Sequence, residues 1–136
     1  MKKIILSVAL LATVLVSAEN KNSTDFENLY SFEYSMSVNA FCKLIQMGNY
    51  DAVKALIEGG IDVNQKSMGL TPLMFAARHN KVNITKLLIK NGAKLKVRSD
   101  RKNITALKWA ELSNAKDTYK VIKEALEDQK GKKRKR

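Results

Sequence analysis

The stretch GLTPLMFAARHNKVNITKLLIKNGAKL, residues 69–95, contains the signals for two short helices and for the turns that end them. Thr71 can cap the first helix, and Pro72 fits its first position, where the missing N–H leaves no hydrogen bond unmade. Asn80 can end this helix, because asparagine tolerates the left-handed conformation. Gly92 can end the second helix in the same way. Apolar residues lie at helical spacing in both segments: Leu73, Ala76 and Ala77, then Ile84, Leu87 and Leu88.

The same pattern occurs elsewhere in the chain. Residues 48–64, GNYDAVKALIEGGIDVN, align with residues 80–96 at a shift of 32, and residues 104–122, ITALKWAELSNAKDTYKVI, align with residues 70–88 at a shift of 34. The unequal shifts place a length change in the connecting loop, where an insertion costs little. A pair of short helices cannot bury its apolar face alone, so the sequence predicts that neighbouring units stack.

The motifs TPLxxAA at residues 71–77 and LLxxxGA at residues 87–93 resemble the ankyrin repeat, as does the segment 48–64. The resemblance covers about residues 39–128 and implies an all-α solenoid of about three helix-turn-helix repeats. We place these at residues 39–66, 67–100 and 101–128 of a domain spanning 39–129. The chain departs from the family pattern at several positions: Met74, Asn80, Lys81, Ala106 and Glu111. The first unit also lacks Thr-Pro. Because terminal repeats often deviate from the family pattern, these departures affect the predicted unit boundaries more than the predicted fold.

Two segments precede the predicted repeats. Residues 1–18 have a basic start, thirteen residues without charge (4–16) and a small-residue cleavage pattern ending at Ala18. Thirteen helical residues span about 20 Å, less than the roughly 30 Å of a bilayer core, so we interpret 1–18 as a secretory signal peptide rather than an uncleaved anchor. Residues 19–38 are acidic and aromatic, and we expect either a short capping helix over the first unit or an arm that contacts a partner.

The basic character of the chain is concentrated at its C-terminal end. The formal charge is +12, and the last seven residues, KGKKRKR, carry six positive charges. We predict a disordered tail over residues 130–136. Its functional alternative is contact with anionic lipid headgroups. The residues for that contact are Lys132, Lys133, Arg134, Lys135 and Arg136.

The residue inventory argues against catalysis. His79 is the only histidine and Cys42 the only cysteine, which excludes a multi-histidine metal site, an intramolecular disulfide and a CxxC motif. We expect Cys42 to be a small buried residue. No carboxylate pair has a spacing that demands a facing arrangement, and no phosphate-binding glycine loop is present. The sequence therefore predicts a non-enzymatic protein that needs no cofactor.

The resemblance implies that the chain binds another protein. The family's variable contact positions map to two loops, or fingers, and to the ends of the first helices. The matching residues are Gln46, Met47, Ser67, Met68, Leu70, Arg78, His79, Arg101, Lys102, Ile104, Leu112 and Ser113. Leu70 and Ile104 either are accessible or pack between the fingers. The second finger is basic, which indicates an acidic partner surface.

These observations predict an exported, monomeric adaptor that binds one protein and no nucleic acid. Its predicted location is the periplasm, with the extracellular space as the alternative. Exported bacterial proteins that it resembles include some that support haem enzymes such as catalase and some immunity proteins that neutralise a toxin, and the sequence does not choose between them. A haem-carrying variant would need His79, Tyr119 or a methionine as axial ligand. The alternative from another class is a peripheral membrane protein that the basic tail holds on anionic lipid.

Overall fold

The computed structural model describes residues 31, 33 and 38–135. The described residues form six helices. α1 covers residues 38–47, and the others are α2 (Tyr50–Glu58), α3 (Pro72–Arg78), α4 (Val82–Lys90), α5 (Ala106–Leu112) and α6 (Lys116–Arg134). This confirms the predicted all-α class with three successive helix pairs. The predicted signal peptide and nearly all of the segment 19–38 lie outside the described residues.

Threonine caps begin α3 and α5, and left-handed residues end the helices of the repeats. The backbone N–H of Met74 donates to Thr71 Oγ1 over 3.3 Å, and the N–H of Lys108 donates to Thr105 Oγ1 over 3.4 Å. Asn80 follows α3 with φ of 51° and Gly92 follows α4 with φ of 89°. The helix boundaries predicted at Thr71, Asn80 and Gly92 are therefore confirmed.

Asparagine side chains join each repeat to the next. Asn64 accepts a hydrogen bond from the N–H of Lys94 over 2.8 Å and donates to the carbonyl of Gly92 over 3.1 Å. Asn80 accepts from the N–H of Thr118 over 3.1 Å, which satisfies a donor at the start of α6. These bonds fix the register in which the helix pairs stack.

The core is continuous through the three helix pairs. α3 is the most enclosed helix, with every residue from Pro72 to Ala77 buried, and it packs against α4, α5 and α6. Alanines at 0 % exposure let the helices approach closely. The large side chains are buried to a similar degree: Phe41, Ile45, Leu73, Leu88 and Ile122. Each pair buries its apolar face on its neighbours, as a stacked solenoid requires.

The structure corrects the predicted disordered tail, because α6 continues through Arg134. Lysine and arginine are good helix formers, and cations near a helix C-terminus interact favourably with its dipole. These contributions offset Gly131, which costs about 1 kcal/mol inside a helix. Of the helices in the described part of the chain, none is long and apolar enough to cross a bilayer.

Cys42 lies in the core with 2 % of its surface exposed, as predicted. Burial raises the pKa of its thiol to about 12, and the hydrogen bond with Ser67 only partly opposes this effect. Because the thiolate is the reactive form, we expect an aromatic disulfide reagent to modify Cys42 only after unfolding. Rapid modification of the native chain at pH 8 would contradict this placement.

The raised pKa of the Cys42 thiol makes the free energy of unfolding depend on pH. The thiol of the unfolded chain ionises near its ordinary value of 9, whereas the folded chain keeps the proton. The stabilisation is complete below pH 9 and is lost as the pH rises above that value, since only the unfolded state then releases a proton. Urea denaturation at pH 8 and pH 10 measures the effect, and Cys42→Ala should reduce it.

Candidate partner-binding face

The first finger, residues 65–70, turns through two residues held in an unusual conformation. Ser67 and Leu70 exchange backbone hydrogen bonds of 2.9 and 3.0 Å. Between them Met68 has φ of 53° and Gly69 has φ of 79°. Positive φ at both central residues is typical of a type I′ turn, which favours asparagine followed by glycine. Met68 therefore occupies a strained position, and its side chain is 84 % exposed at the tip of the finger.

The second finger, residues 98–104, has a longer turn. The N–H of Ser99 donates to the carbonyl of Ile104 over 2.9 Å, as Ser67 does to Leu70 in the first finger. Four residues now separate the pair, with Asn103 in the left-handed conformation at φ of 51°. This turn contains Arg101 and Lys102 and accounts for the change of shift from 32 to 34 in the sequence alignment.

The two fingers are attached to each other. The N–H of Asp100 donates to the carbonyl of Gly69 over 3.0 Å, and the Asp100 carboxylate pairs with Lys66. A Cβ on Gly69 would lie 3.1 Å from the Cβ of Asp100, so a larger residue would disturb this contact. The fingers therefore present their tips in a fixed relation.

A tryptophan lies where the second finger meets the first helices. The Lys102 ammonium is 5.1 Å from the centroid of the Trp109 ring, and the Arg78 guanidinium carbon is 5.5 Å from it. Both distances are within the range of cation–π attraction. Trp109 is only 9 % exposed, so the two cations and the helices cover most of the ring.

Positive charge on this side of the molecule is largely uncompensated. Within residues 38–135, the ion pairs are Lys54–Glu58, Lys66–Asp100 and Lys108–Glu111. None of them includes Arg78, Arg101 or Lys102. Partial burial lowers the pKa of His79 from 6.5, and the charges of Arg78 and Lys81 lower it further. His79 is therefore neutral at pH 7, and arginine and lysine supply the charge.

Eight of the twelve predicted contact residues are exposed. We define the finger face by them: Met47, Met68, Arg78, His79, Arg101, Lys102, Leu112 and Ser113. They lie on the two fingers and at the ends of α1, α3 and α5. The face combines uncompensated cations with exposed apolar side chains, of which Met47 is 66 % and Leu112 is 59 % exposed.

Four of the predicted contact residues are not exposed in the structure. Ser67 is buried at 5 % exposure, because its hydroxyl bonds to Asn39 Oδ1 and its backbone closes the turn. Leu70 and Ile104 are half-buried against the core, which agrees with the alternative that they pack inward. Gln46 is half-buried as well.

Sequence reasoning missed the aromatic residues beside this face. Phe75 and Trp109 occupy equivalent positions at the shift of 34, on the adjacent helices α3 and α5. The recurrence of an aromatic residue at one repeat position was a usable signal, because aromatic side chains are enriched in interface centres. Phe75 is 6 % exposed and belongs to the hydrophobic core.

The described residues hold no group of three or more histidine, cysteine, aspartate or glutamate side chains that could bind a metal ion. His79, which the sequence offers as an axial haem ligand, is the C-cap residue of α3. Its neighbours Arg78 and Lys81 are cations, which suit anion binding.

Comparison with known proteins extends these observations. The sequence profile of the ankyrin-repeat family, described as ankyrin repeats (3 copies), matches residues 13–99 and 41–133. The first match begins upstream of residue 39, the predicted start of the repeats. The fowlpox virus (strain NVSL) protein FPV031, described as an ankyrin repeat protein, is 33% identical over 94 residues, which cover 66% of this chain and 28% of the viral protein.

A similar solved structure is the complex of the predatory endopeptidase Bd0816 of Bdellovibrio bacteriovorus with the immunity protein Bd3460. The immunity protein is the similar partner. The match has a TM-score of 0.60 at 31% identity and covers 63% of this chain and 45% of the other. The chain thus spans less than half the length of each of these two proteins.

Proposed function

The chain belongs to the ankyrin-repeat family, and from this premise we propose that it is an exported, non-catalytic module that binds one partner protein through the finger face. Proteins of this family are usually non-catalytic binding proteins. Export rests on the apolar segment at residues 4–16.

The composition of the finger face is the observation that carries the proposal. Met68 and Met47 are exposed apolar side chains, and the cations Arg78, Arg101 and Lys102 beside them have no acidic neighbour among the ion pairs of residues 38–135. Exposed methionine and arginine are typical of interface centres. Unpaired cations favour a partner with an acidic surface, because complementary charge raises the association rate and excludes other partners.

The immunity type is the form of this function that we propose. The protein of similar structure is an immunity protein in complex with an endopeptidase. By this likeness, the chain would cover a functional surface of a harmful enzyme made by the same cell. A role in support of a haem enzyme is the other variant that the sequence left open.

Reversing two charges on the finger face should abolish partner capture. With Arg78→Glu and Arg101→Glu, we expect the affinity to fall about 100-fold or more, because each reversal replaces attraction to an acidic surface with repulsion. The measurement is affinity capture from an extract of the source organism with the tagged chain, quantified by mass spectrometry.

The matched control changes the charge equally outside the finger face. Lys86→Glu and Lys90→Glu place two reversals on exposed positions of α4, and partner capture should stay close to that of the unmodified chain. Equal loss in both variants would mean that only net charge matters, and retention by both would place the partner elsewhere.

A second candidate function is attachment to anionic lipid through the end of α6. This end is exposed from Glu127 onward and carries a cluster of cations: Lys130, Lys132, Lys133, Arg134 and Lys135. Each basic residue near an anionic membrane contributes roughly 1 kcal/mol. Deleting residues 130–136 should abolish sedimentation with phosphatidylglycerol vesicles if this candidate is correct, and should leave capture of a protein partner unchanged.

A further inference from the structure

Arg78 and Lys102 bring two positive charges to one aromatic ring. Their charged groups lie 5.5 and 5.1 Å from the centroid of Trp109. Neither side chain takes part in an ion pair within residues 38–135. The ring attracts each cation without neutralising its charge, so an anion in contact with both groups would lower the energy of both.

The same ring holds an unsatisfied hydrogen-bond donor. Trp109 Nε1 is buried and has no acceptor among the residues that the structure describes. A buried donor without a partner costs about 1–3 kcal/mol and calls for an explanation in a native protein. Because Nε1 is enclosed in the free chain, an acceptor from a bound molecule reaches it only after neighbouring side chains shift.

We propose that Arg78, Lys102 and Trp109 form an anchor site for one carboxylate group, supplied by an aspartate or glutamate side chain of the partner protein. Guanidinium groups bind carboxylates through paired hydrogen bonds, the ammonium adds further donors, and the Trp109 ring is the surface that holds both cations. This inference rests on the proposed function, and it specifies which group of the partner binds at this part of the finger face.

The backbone that carries the site is fixed before binding. Lys102 is carried by the turn that Ser99 and Ile104 close, and this turn is bonded to the first finger through Asp100 and Gly69. The Trp109 side chain, which α5 carries, is buried in the hydrophobic core cluster. Binding therefore orders few groups, which favours affinity.

Trp109 is the single tryptophan of the chain and reports directly on the site. The test titrates the full chain with a blocked tetraglutamate peptide at constant ionic strength and follows tryptophan fluorescence. We expect a saturable spectral change, about tenfold weaker in Lys102→Gln and in Arg78→Gln, because each variant removes one charge-assisted contact. Lys96→Gln, an exposed cation outside the finger face, should bind within about twofold of the unmodified chain.

Two further probes identify the chemistry. A blocked tetraglutamine peptide should give no saturable change, because it lacks the charge. Inorganic phosphate should compete with tetraglutamate, because guanidinium and ammonium groups bind both anions. No saturable response to tetraglutamate, an equal loss in Lys96→Gln, or a saturable response to tetraglutamine would each overturn the proposal.

The proposal and the proposed function can fail separately. If the extract yields no partner, the function fails whatever the peptide titration shows. If a partner is captured equally by the unmodified chain and by the Arg78→Gln, Lys102→Gln double variant, the protein-binding function holds and the carboxylate anchor is refuted.

Discussion

Replacing Met68 with asparagine should strengthen the fold and weaken the partner complex in the same protein. Met68 has φ of 53° in a turn that favours asparagine at this position. A left-handed conformation costs a residue other than glycine or asparagine about 1 kcal/mol. Because the side chain is 84 % exposed, its removal loses little packing, and the free energy of unfolding should rise by about 0.5–1 kcal/mol.

The free energy of binding lost in Met68→Asn should exceed the gain in the free energy of unfolding. A strained apolar side chain that is 84 % exposed at the tip of a finger gains little from packing on the described residues, and strain of this kind is concentrated at functional sites. As an anchor in a partner pocket it would contribute about 2 kcal/mol, so we expect affinity to fall roughly 30-fold. Urea denaturation measures the first effect and titration calorimetry with the captured partner measures the second.

Met68→Leu is the matched control for this prediction. It keeps an apolar side chain and the strained backbone, so both stability and affinity should stay close to the values of the unmodified chain. If Met68→Asn binds as tightly as the unmodified chain, the tip of the first finger is not an anchor.

Replacing Leu88 with alanine should remove a large part of the stability. Leu88 is fully buried in α4, the helix that packs against α2, α3 and α6. Truncation of this side chain leaves a cavity in the central helix pair and should lower the free energy of unfolding by about 3 kcal/mol. Native domains are stable by only about 5–15 kcal/mol, so the midpoint of urea denaturation should fall markedly.

Leu112→Ala tests the same substitution at a surface position of α5. Leu112 is 59 % exposed, and the free energy of unfolding should change by less than about 0.5 kcal/mol. Similar losses in the two variants would contradict a core that runs through the central repeat.

Sequence patterns predicted the helix pairs because their signals are local. Thr71 and Pro72 act within one turn of helix, and Asn80 ends α3 through its own backbone preference. The shift from 32 to 34 located the longer finger, since an insertion changes the spacing of every residue after it. The burial of Cys42 followed from its chemistry.

The remaining features depend on contacts between repeats. Ser67 is buried because Asn39, 28 residues earlier, accepts its hydroxyl hydrogen. Lys102 and Arg78 meet at Trp109 only because a finger of one repeat reaches the helices of two repeats. The end of α6 is helical because a packed helix continues into a run of charged residues. Composition alone predicted that these residues form a disordered tail.

The most direct test of the finger face is hydroxyl-radical footprinting of the chain, free and in complex with its captured partner. Met47 and Met68 report on the face, buried Met74 reports on integrity of the fold, and Tyr50, which is 40 % exposed, lies outside the face. We predict that labelling of Met47 and Met68 falls sharply in the complex while that of Tyr50 is unchanged. Labelling of Met68 at the same rate in both states would contradict binding through the finger face.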